Sequence, residues 1–441
     1  MTVRLLTCLA VAAIGWSADQ GPGGAAPTPP MGWNSWDSYG TTVTEAEVKA
    51  NARYMADHLK SHGWQYIVVD IQWSDPQAKA HGYRPNAELS MDEYGRLIPA
   101  PNRFPSSEGG RGFRPLADFI HTQGLKFGIH IMRGIPRRAV AANLPVFGSQ
   151  ARAAGIADRN STCRWNSDMY GVDMSKPGAQ DYYDSLLRLY ADWGVDFIKA
   201  DDIARPFHGD EIAALHKAIG KTGRPIVLSL SPGPADLAQA SFYAGNANMW
   251  RMWDDFWDRW QDLKAAFPRM VPWSEFVKPG GWPDADMLPL GRIGIRAERG
   301  DDRMTRFTHD EQRTLMTLWS IFRSPLMFGG DLPSNDDWTL ALLTNDEVLA
   351  ANQQGAHPRQ LFARGDQIAW TAEAGPRSRY LAVFNLSDAS IADIPVEWKD
   401  LGIEGQCAIR DLWERKNLGQ AKTAFTFHVA SHGAVMVKLS Q

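Results

Sequence analysis

The sequence predicts an α/β protein, a closed (β/α)8 TIM barrel followed by a small C-terminal antiparallel β-sandwich. Three observations carry this. From about Gly32 to Gly330, eight short apolar runs alternate with amphipathic stretches, the rhythm of parallel βαβ units. The runs are almost continuously apolar, as strands covered on both faces must be. Beyond about Gln360 the pattern changes to short segments with period-two alternation, separated by turn residues. A doubly wound open sheet is the rival, but the glycine-rich phosphate turn it would need is not found. With 441 residues the chain suits one large domain of roughly 300 residues and a smaller one.

Taken in order, the N-terminus combines an early cation (Arg4), an apolar stretch too short to span a bilayer and small residues at Ser17 and Ala18. It reads as a signal peptide with a Gly/Ala/Pro linker over residues 1–26, so the protein is expected to be secreted or periplasmic. The barrel is expected over 27–355 and the sandwich over 356–441. Its strand runs are Met31 to Trp36, Tyr66 to Asp70, Lys126 to His130, Val195 to Lys199, Pro225 to Leu230, Met249 to Trp253, a weak one near Gly280 to Met287, and Pro325 to Phe328. The first helix, Thr44 to Ser61, sets Val48, Ala52, Met55 and Leu59 on one stripe. Another spans Glu311 to Phe322. The sandwich segments begin at Gln367, Tyr380, Thr423 and Gly433.

Composition narrows the partners. The net charge is −4 and no lysine or arginine run occurs, so no footprint for nucleic acid is visible. No membrane association is expected after signal cleavage. The 18 tryptophans lean towards carbohydrate, because indole faces pack on the C–H faces of sugar rings. The expected partner is an oligosaccharide or polysaccharide substrate, and the oligomeric state stays open. After cleavage only Cys163 and Cys407 remain, in different domains, so no disulfide framework is implied.

In such a barrel the reactive groups lie at the C-terminal ends of strands. Four ends supply carboxylates: Asp70; Asp201 and Asp202; Asp254 and Asp255; Asp284 and Asp286. Glycosidic cleavage needs one ionised carboxylate to attack the anomeric carbon and one protonated carboxyl to protonate the leaving oxygen. Lys199, two residues before Asp201, can hold it ionised, and Arg251 can hydrogen-bond sugar hydroxyls at the same mouth. Of eleven histidines only His130 sits at a strand end and no His-x-His pair occurs, so neither a metal nor another cofactor is expected.

At these positions the chain resembles the glycoside hydrolase family 27 enzymes, the α-galactosidase and α-N-acetylgalactosaminidase group, from about Pro30 to Gly355. The motifs are Pro-Pro-Met-Gly-Trp-Asn-Ser-Trp36, Tyr66-Ile-Val-Val-Asp70, Phe197-Ile-Lys-Ala-Asp201, Trp250-Arg-Met-Trp-Asp-Asp255, Pro279-Gly-Gly-Trp-Pro-Asp-Ala-Asp-Met-Leu288 and Leu318-Trp-Ser-Ile-Phe-Arg-Ser-Pro-Leu-Met-Phe-Gly-Gly-Asp331. The resemblance implies retention of configuration without a metal, Asp201 as nucleophile and Asp255 as acid/base. It makes Trp36, Asp70, His130, Lys199, Ser231 and Arg251 substrate-binding residues. The leading expectation is an α-galactosidase; the alternatives are a β-L-arabinopyranosidase, an α-N-acetylgalactosaminidase, or a sugar-binding protein on an inactive barrel.

The departures concern the sugar. Where the α-galactosidases carry a second Asp for the 4- and 6-hydroxyls stands Ile71, which favours a sugar without a hydroxymethyl group. Ser231 replaces the Glu that reads the 2-hydroxyl, and the N-acetylgalactosaminidases also use a small residue there. His130 replaces a Tyr. Ile203 replaces the Cys after the nucleophile, so the family's active-site disulfide is absent. The alternative is that these replacements are subfamily rearrangements whose lost contacts come from elsewhere, for example from Asp202, Arg133 or Trp165.

Overall fold

A computed structural model describes residues 24–389 and 391–441; the first 23 residues, and with them nearly all of the signal-peptide segment, lie outside it. Eight parallel strands follow the expected runs: β1 (Met31–Asn34), β2 (Tyr66–Val69), β3 (Lys126–Met132), β4 (Phe197–Asp201), β5 (Val227–Leu230), β6 (Met249–Arg251), β7 (Trp282–Asp284) and β8 (Leu326–Phe328). The sheet order is β7-β6-β5-β4-β3-β2-β1-β8. Closure comes from just beyond β7: the Leu288 amide donates to the Met327 carbonyl at 2.8 Å and the Gly329 amide to the Leu288 carbonyl at 3.0 Å. The seventh run reads weakly in sequence because its strand is Trp-Pro-Asp, with a proline and a charged residue in place of an apolar run.

Alternation along each strand divides the apolar residues between two cores. Tyr66 and Val68 point into the barrel with Phe197, Val227, Met249, Trp282 and Met327. Ile67 and Val69 point out to the helices with Ile129, Ile198, Leu228 and Trp250. Both faces of every strand are dry, which is why the runs look continuous rather than alternating. The interior fits its aromatics by leaving side chains out beside them. A Cβ on Gly128 would meet the Phe197 Cβ and the Val68 Cγ2 at 2.9 Å, and one on Gly32 would meet the Tyr66 Cβ at 2.6 Å.

The surrounding helices are α1 (Glu45–Tyr54), α2 (Arg114–Thr122), α3 (Ala179–Asp192), α4 (Gly209–Thr222), α5 (Ala240–Asn246), α6 (Trp260–Met270), α7 (His309–Phe322) and α8 (Asp346–Gln354). α1 starts on a capping box between Thr44 and Glu47, and its predicted stripe is fully buried. The last two turns of the expected helix widen into a π turn, Met55–Leu59, and tighten into a 3-10 turn, Lys60–His62. The β3–β4 connection holds a three-stranded sheet (Ile135–Pro136, Ala157–Thr162, Met169–Val172) that hydrophobic periodicity does not reveal, since its strands are short and partly polar.

The C-terminal region is an antiparallel sandwich. Its strands are β9 (Ala356–Arg364), β10 (Gln367–Glu373), β11 (Ser378–Asn385), β12 (Ala392–Glu397), β13 (Cys407–Asp411), β14 (Lys416–Ala421), β15 (Ala424–Val429) and β16 (Ala434–Ser440). A six-stranded sheet, β9-β10-β11-β16-β13-β14, faces the pair β12-β15. Leu381, Val383, Val437 and Leu439 pack on Ile394, Val396, Phe427 and Val429 between the layers. The opposite face of the large sheet lies on the barrel: Trp370 meets Phe322 edge-on at 5.9 Å, and Phe384 meets Phe267 at 4.9 Å. Cys163 and Cys407 are both buried and unpaired.

The cap of α7 also joins the two domains. The Thr308 hydroxyl accepts from the Glu311 amide at 3.3 Å, the Glu311 carboxylate accepts from the Thr308 amide at 2.9 Å, and its other oxygen holds His432 of the sandwich at 2.8 Å. Thr308→Ala should therefore lower stability by about 1 kcal/mol, read from the denaturant midpoint; an unchanged midpoint would contradict this role for the cap.

Candidate active site

β4 ends in Lys199-Ala200-Asp201. Strand alternation turns Ala200 outward into the helical core and both charged side chains into the barrel mouth. The Asp201 carboxylate is gripped from three sides: His130 Nε2 lies 3.0 Å from Oδ2, and the Ser231 hydroxyl at 3.0 Å and the Asp202 amide at 2.9 Å donate to Oδ1. Burial by itself would raise this carboxyl. The hydrogen bond and charge of His130, then the charge of Lys199, outweigh burial and hold Asp201 well below the usual carboxylate range.

Lys199 helps to hold Asp201 ionised through its charge, as expected, without a hydrogen bond to it. Its ammonium donates to Asp70 Oδ2 at 2.9 Å and acts on Asp201 through space. Asp70 is buried at the end of β2, where Asn34 Nδ2 adds a 2.7 Å bond and the Asp70 amide donates to the Ser35 hydroxyl at 3.0 Å. Burial would raise Asp70 too, but Lys199 and His130 bring it below its ordinary value. Asn34 Oδ1 accepts from the Trp36 amide at 2.9 Å, so the motif Trp33-Asn34-Ser35-Trp36 ties Asp70 to the indole.

Asp255 sits on the loop after β6, one helical step beyond Arg251. Their contact is 3.2 Å, and the Asp255 side chain keeps 30% of its exposure where that of Asp201 keeps 11%. One carboxyl is therefore nearly dry and the other open to water. Arg251, expected to meet sugar hydroxyls, is buried, lies 2.7 Å from Asp286 as well as bonding Asp255, and keeps its Nε without a partner among the described residues. Asp286 is fixed in turn by the Phe256 amide at 2.7 Å. Burial pushes Asp284, at the end of β7, up to about 7, opposed by Arg251 and reinforced by Asp286.

Ile71 follows Asp70 with 4% exposure, and its amide donates to Asp70 Oδ1 at 2.8 Å. Of the three residues named as alternative sources of the lost contacts, Asp202 and Arg133 are occupied. Arg133 donates to Asp202 Oδ2 and to Glu211 Oε1, each at 2.8 Å, and both carboxylates are buried. That leaves Trp165, which is exposed. Sequence reading missed Tyr83, which lies on Trp36 with ring centroids 5.7 Å apart, because it sits in an irregular loop. It also missed Asp37, whose buried carboxyl is raised well above the ordinary value by burial and by the charges of Asp286 and Asp255. Asp37 directly follows the Trp33-Asn34-Ser35-Trp36 motif, which is the signal that could have found it.

Carboxylates converging on the C-terminal mouth of a parallel barrel, with a β-sandwich behind it, define a glycoside hydrolase. The family model described as "Alpha galactosidase A" matches residues 28–175 and 167–354, and the model for the α-galactosidase C-terminal β-sandwich domain matches 364–439. The chain belongs to this family, glycoside hydrolase family 27. It is 27% identical to an α-galactosidase of Cyamopsis tetragonoloba, over 95% of this chain and 87% of that one. Among solved structures, it is similar to a β-L-arabinopyranosidase of the family from Geobacillus stearothermophilus, with 57% identity, a TM-score of 0.94 and coverage of 95% of this chain and 98% of that one. A protein from Bacillus halodurans assigned as a candidate α-N-acetylgalactosaminidase has 50% identity and a TM-score of 0.85, covering 94% and 97% of the two chains.

The raised Asp284 has a consequence for folding. Its carboxyl titrates near 3.8 ordinarily and near 7 in the fold, so its stabilising share is complete below about pH 4 and is lost as pH rises to about 7. Asp284→Asn, which stays neutral, should flatten the fall in Tm between these values relative to the wild type; parallel curves would show that Asp284 is ionised throughout.

Proposed function

We propose that this glycosidase is exo-acting, retains configuration and prefers β-L-arabinopyranosides at the ends of oligosaccharides or polysaccharides. The observation that carries the sugar is Ile71. An aliphatic side chain, buried and directly following Asp70, stands at the position where the resemblance puts the α-galactosidases' Asp for the 4- and 6-hydroxyls. It offers no acceptor, and a hydroxyl left unpaired against it costs about 1–3 kcal/mol. A pentopyranose has no hydroxymethyl group and escapes that cost. The similar Geobacillus enzyme is a β-L-arabinopyranosidase, and a variant of it is known in complex with arabinose, which supports the same choice. α-Galactosides, the first expectation from sequence, are then the slower substrates. Ser231 would leave room for an acetamido group, but its hydroxyl is already bonded to Asp201.

In the reaction, Asp201 Oδ attacks the anomeric carbon as the bond to the leaving oxygen breaks, and Asp255 gives that oxygen its proton. Asp255 then takes a proton from water, whose oxygen attacks the same carbon and releases Asp201. The exposure difference supports this division, since the nucleophile is kept dry while the acid/base reaches solvent. Asp70 and Lys199 hold ring hydroxyls and Trp36 lies at the ring's apolar side. The signal-peptide pattern of residues 1–26 supports a location outside the cytoplasm.

Measured as kcat/KM, the nitrophenyl β-L-arabinopyranoside should exceed the α-D-galactopyranoside by roughly ten- to a hundredfold, and Ile71→Asp should narrow or reverse the ratio. Equal rates, or a ratio indifferent to Ile71→Asp, would remove Ile71 as the determinant. His130→Asn withdraws the charge that lowers Asp201, so the nucleophile protonates at higher pH and the acidic limb of kcat/KM should move upward. A stationary limb would assign that limb to another group.

A further inference from the structure

Beyond Trp36 the aromatic surface continues. Tyr83 stacks on Trp36 at 5.7 Å and 21°, and Trp165 meets Tyr83 at 5.3 Å and 45°. The three rings run outward from the buried end, where Asn34 links Trp36 to Asp70, to the exposed face of Trp165. A large exposed indole on a loop is normally free to move, yet this one is braced. The Ser167 hydroxyl accepts from the Asn86 amide at 2.8 Å, tying the Trp165 loop to the Tyr83 loop. Asp168 accepts from Gln72 Nε2 at 2.6 Å and from Asn166 Nδ2 at 3.0 Å, tying it to the segment that carries Ile71. At its other end the Cys163 thiol is raised by burial and then by the charge of Asp202, next to Asp201. The phenol of Tyr83 is raised by burial and then by the charges of Asp201, Glu298, Asp255 and Asp70.

We propose that Tyr83 and Trp165 form a second sugar-binding position, on the leaving-group side of the cleavage site, which takes the pyranose ring from which the terminal sugar is released. This rests on the function proposed above. The terminal sugar occupies the closed end beside Asp70 and Lys199, so whatever is attached to it must leave through the mouth, past these two rings. Two tilted aromatic faces, one exposed and one partly buried, suit the apolar C–H face of a second ring. Of the charged groups nearby, Arg133, Asp202 and Glu211 are spent on one another.

The test compares two substrates with one terminal sugar. β-L-arabinopyranosyl fluoride has no ring in its leaving group; a disaccharide carries the same sugar on a second pyranose. In Trp165→Ala the ratio of kcat/KM, disaccharide over fluoride, should fall about three- to tenfold, and Trp165→Phe should restore most of it. Because both substrates use one active site, a folding defect cancels in the ratio. A ratio unchanged in Trp165→Ala, or a Phe variant no better than Ala, overturns the platform. If the wild type instead prefers galactosyl fluoride, the sugar reading fails, and the same ratio taken with galactosyl substrates still decides the platform.

Discussion

A negative charge has to persist on Asp201 in a place with very little water, and the rest of the barrel mouth is arranged around that requirement. An isolated carboxylate there would simply take up a proton. Here three neighbouring strand ends contribute: His130 from β3, the Asp202 amide from β4 itself and Ser231 from just beyond β5 all point at the two oxygens. The parallel register brings them together, since His130 lies opposite Lys199 and Ala200 opposite Leu230, one residue before Ser231. A shift of one residue in any of these strands would turn the donor into the helical core.

Most of the other buried charged groups lie in pairs. Lys199 is matched with Asp70, Arg251 with Asp286 and Asp255, and Arg133 with Asp202 and Glu211. Such pairs contribute little net stability, because desolvation offsets most of their attraction, but breaking one leaves an uncompensated charge. They fix geometry. The outermost pair, Arg251 with Asp255, is also the wettest, which leaves Asp255 the freedom to exchange protons that its neighbours lack.

The sequence displays the barrel because strand burial on both faces writes unbroken apolar runs, and the carboxylates because each follows directly on such a run. It displays the sandwich less fully. β13 and β14 carry polar or small residues on their open faces, as in Lys416-Asn-Leu-Gly-Gln-Ala, and do not alternate clearly. Partnership is the harder part. The positions of Lys199 and Asp201 on one strand face show that the cation can act on the carboxylate, but not that its hydrogen bond goes across to Asp70 while His130 on the neighbouring strand takes Asp201. Such choices depend on cross-strand register and side-chain direction. Tyr83 and Trp165 lie in loops with no periodicity, and only the folded chain brings them beside Trp36.

The central claim, that Asp201 is the nucleophile and Asp255 its acid/base, is tested most directly by chemical rescue. Asp201→Gly, given an activated glycoside and sodium azide, opens a space on the nucleophile's side of the sugar. Azide should then yield a glycosyl azide of inverted anomeric configuration, read by proton NMR. Asp255→Gly should yield the azide with configuration retained, since the glycosyl-Asp201 ester forms first. A retained product from Asp201→Gly would exchange the two roles and contradict the account.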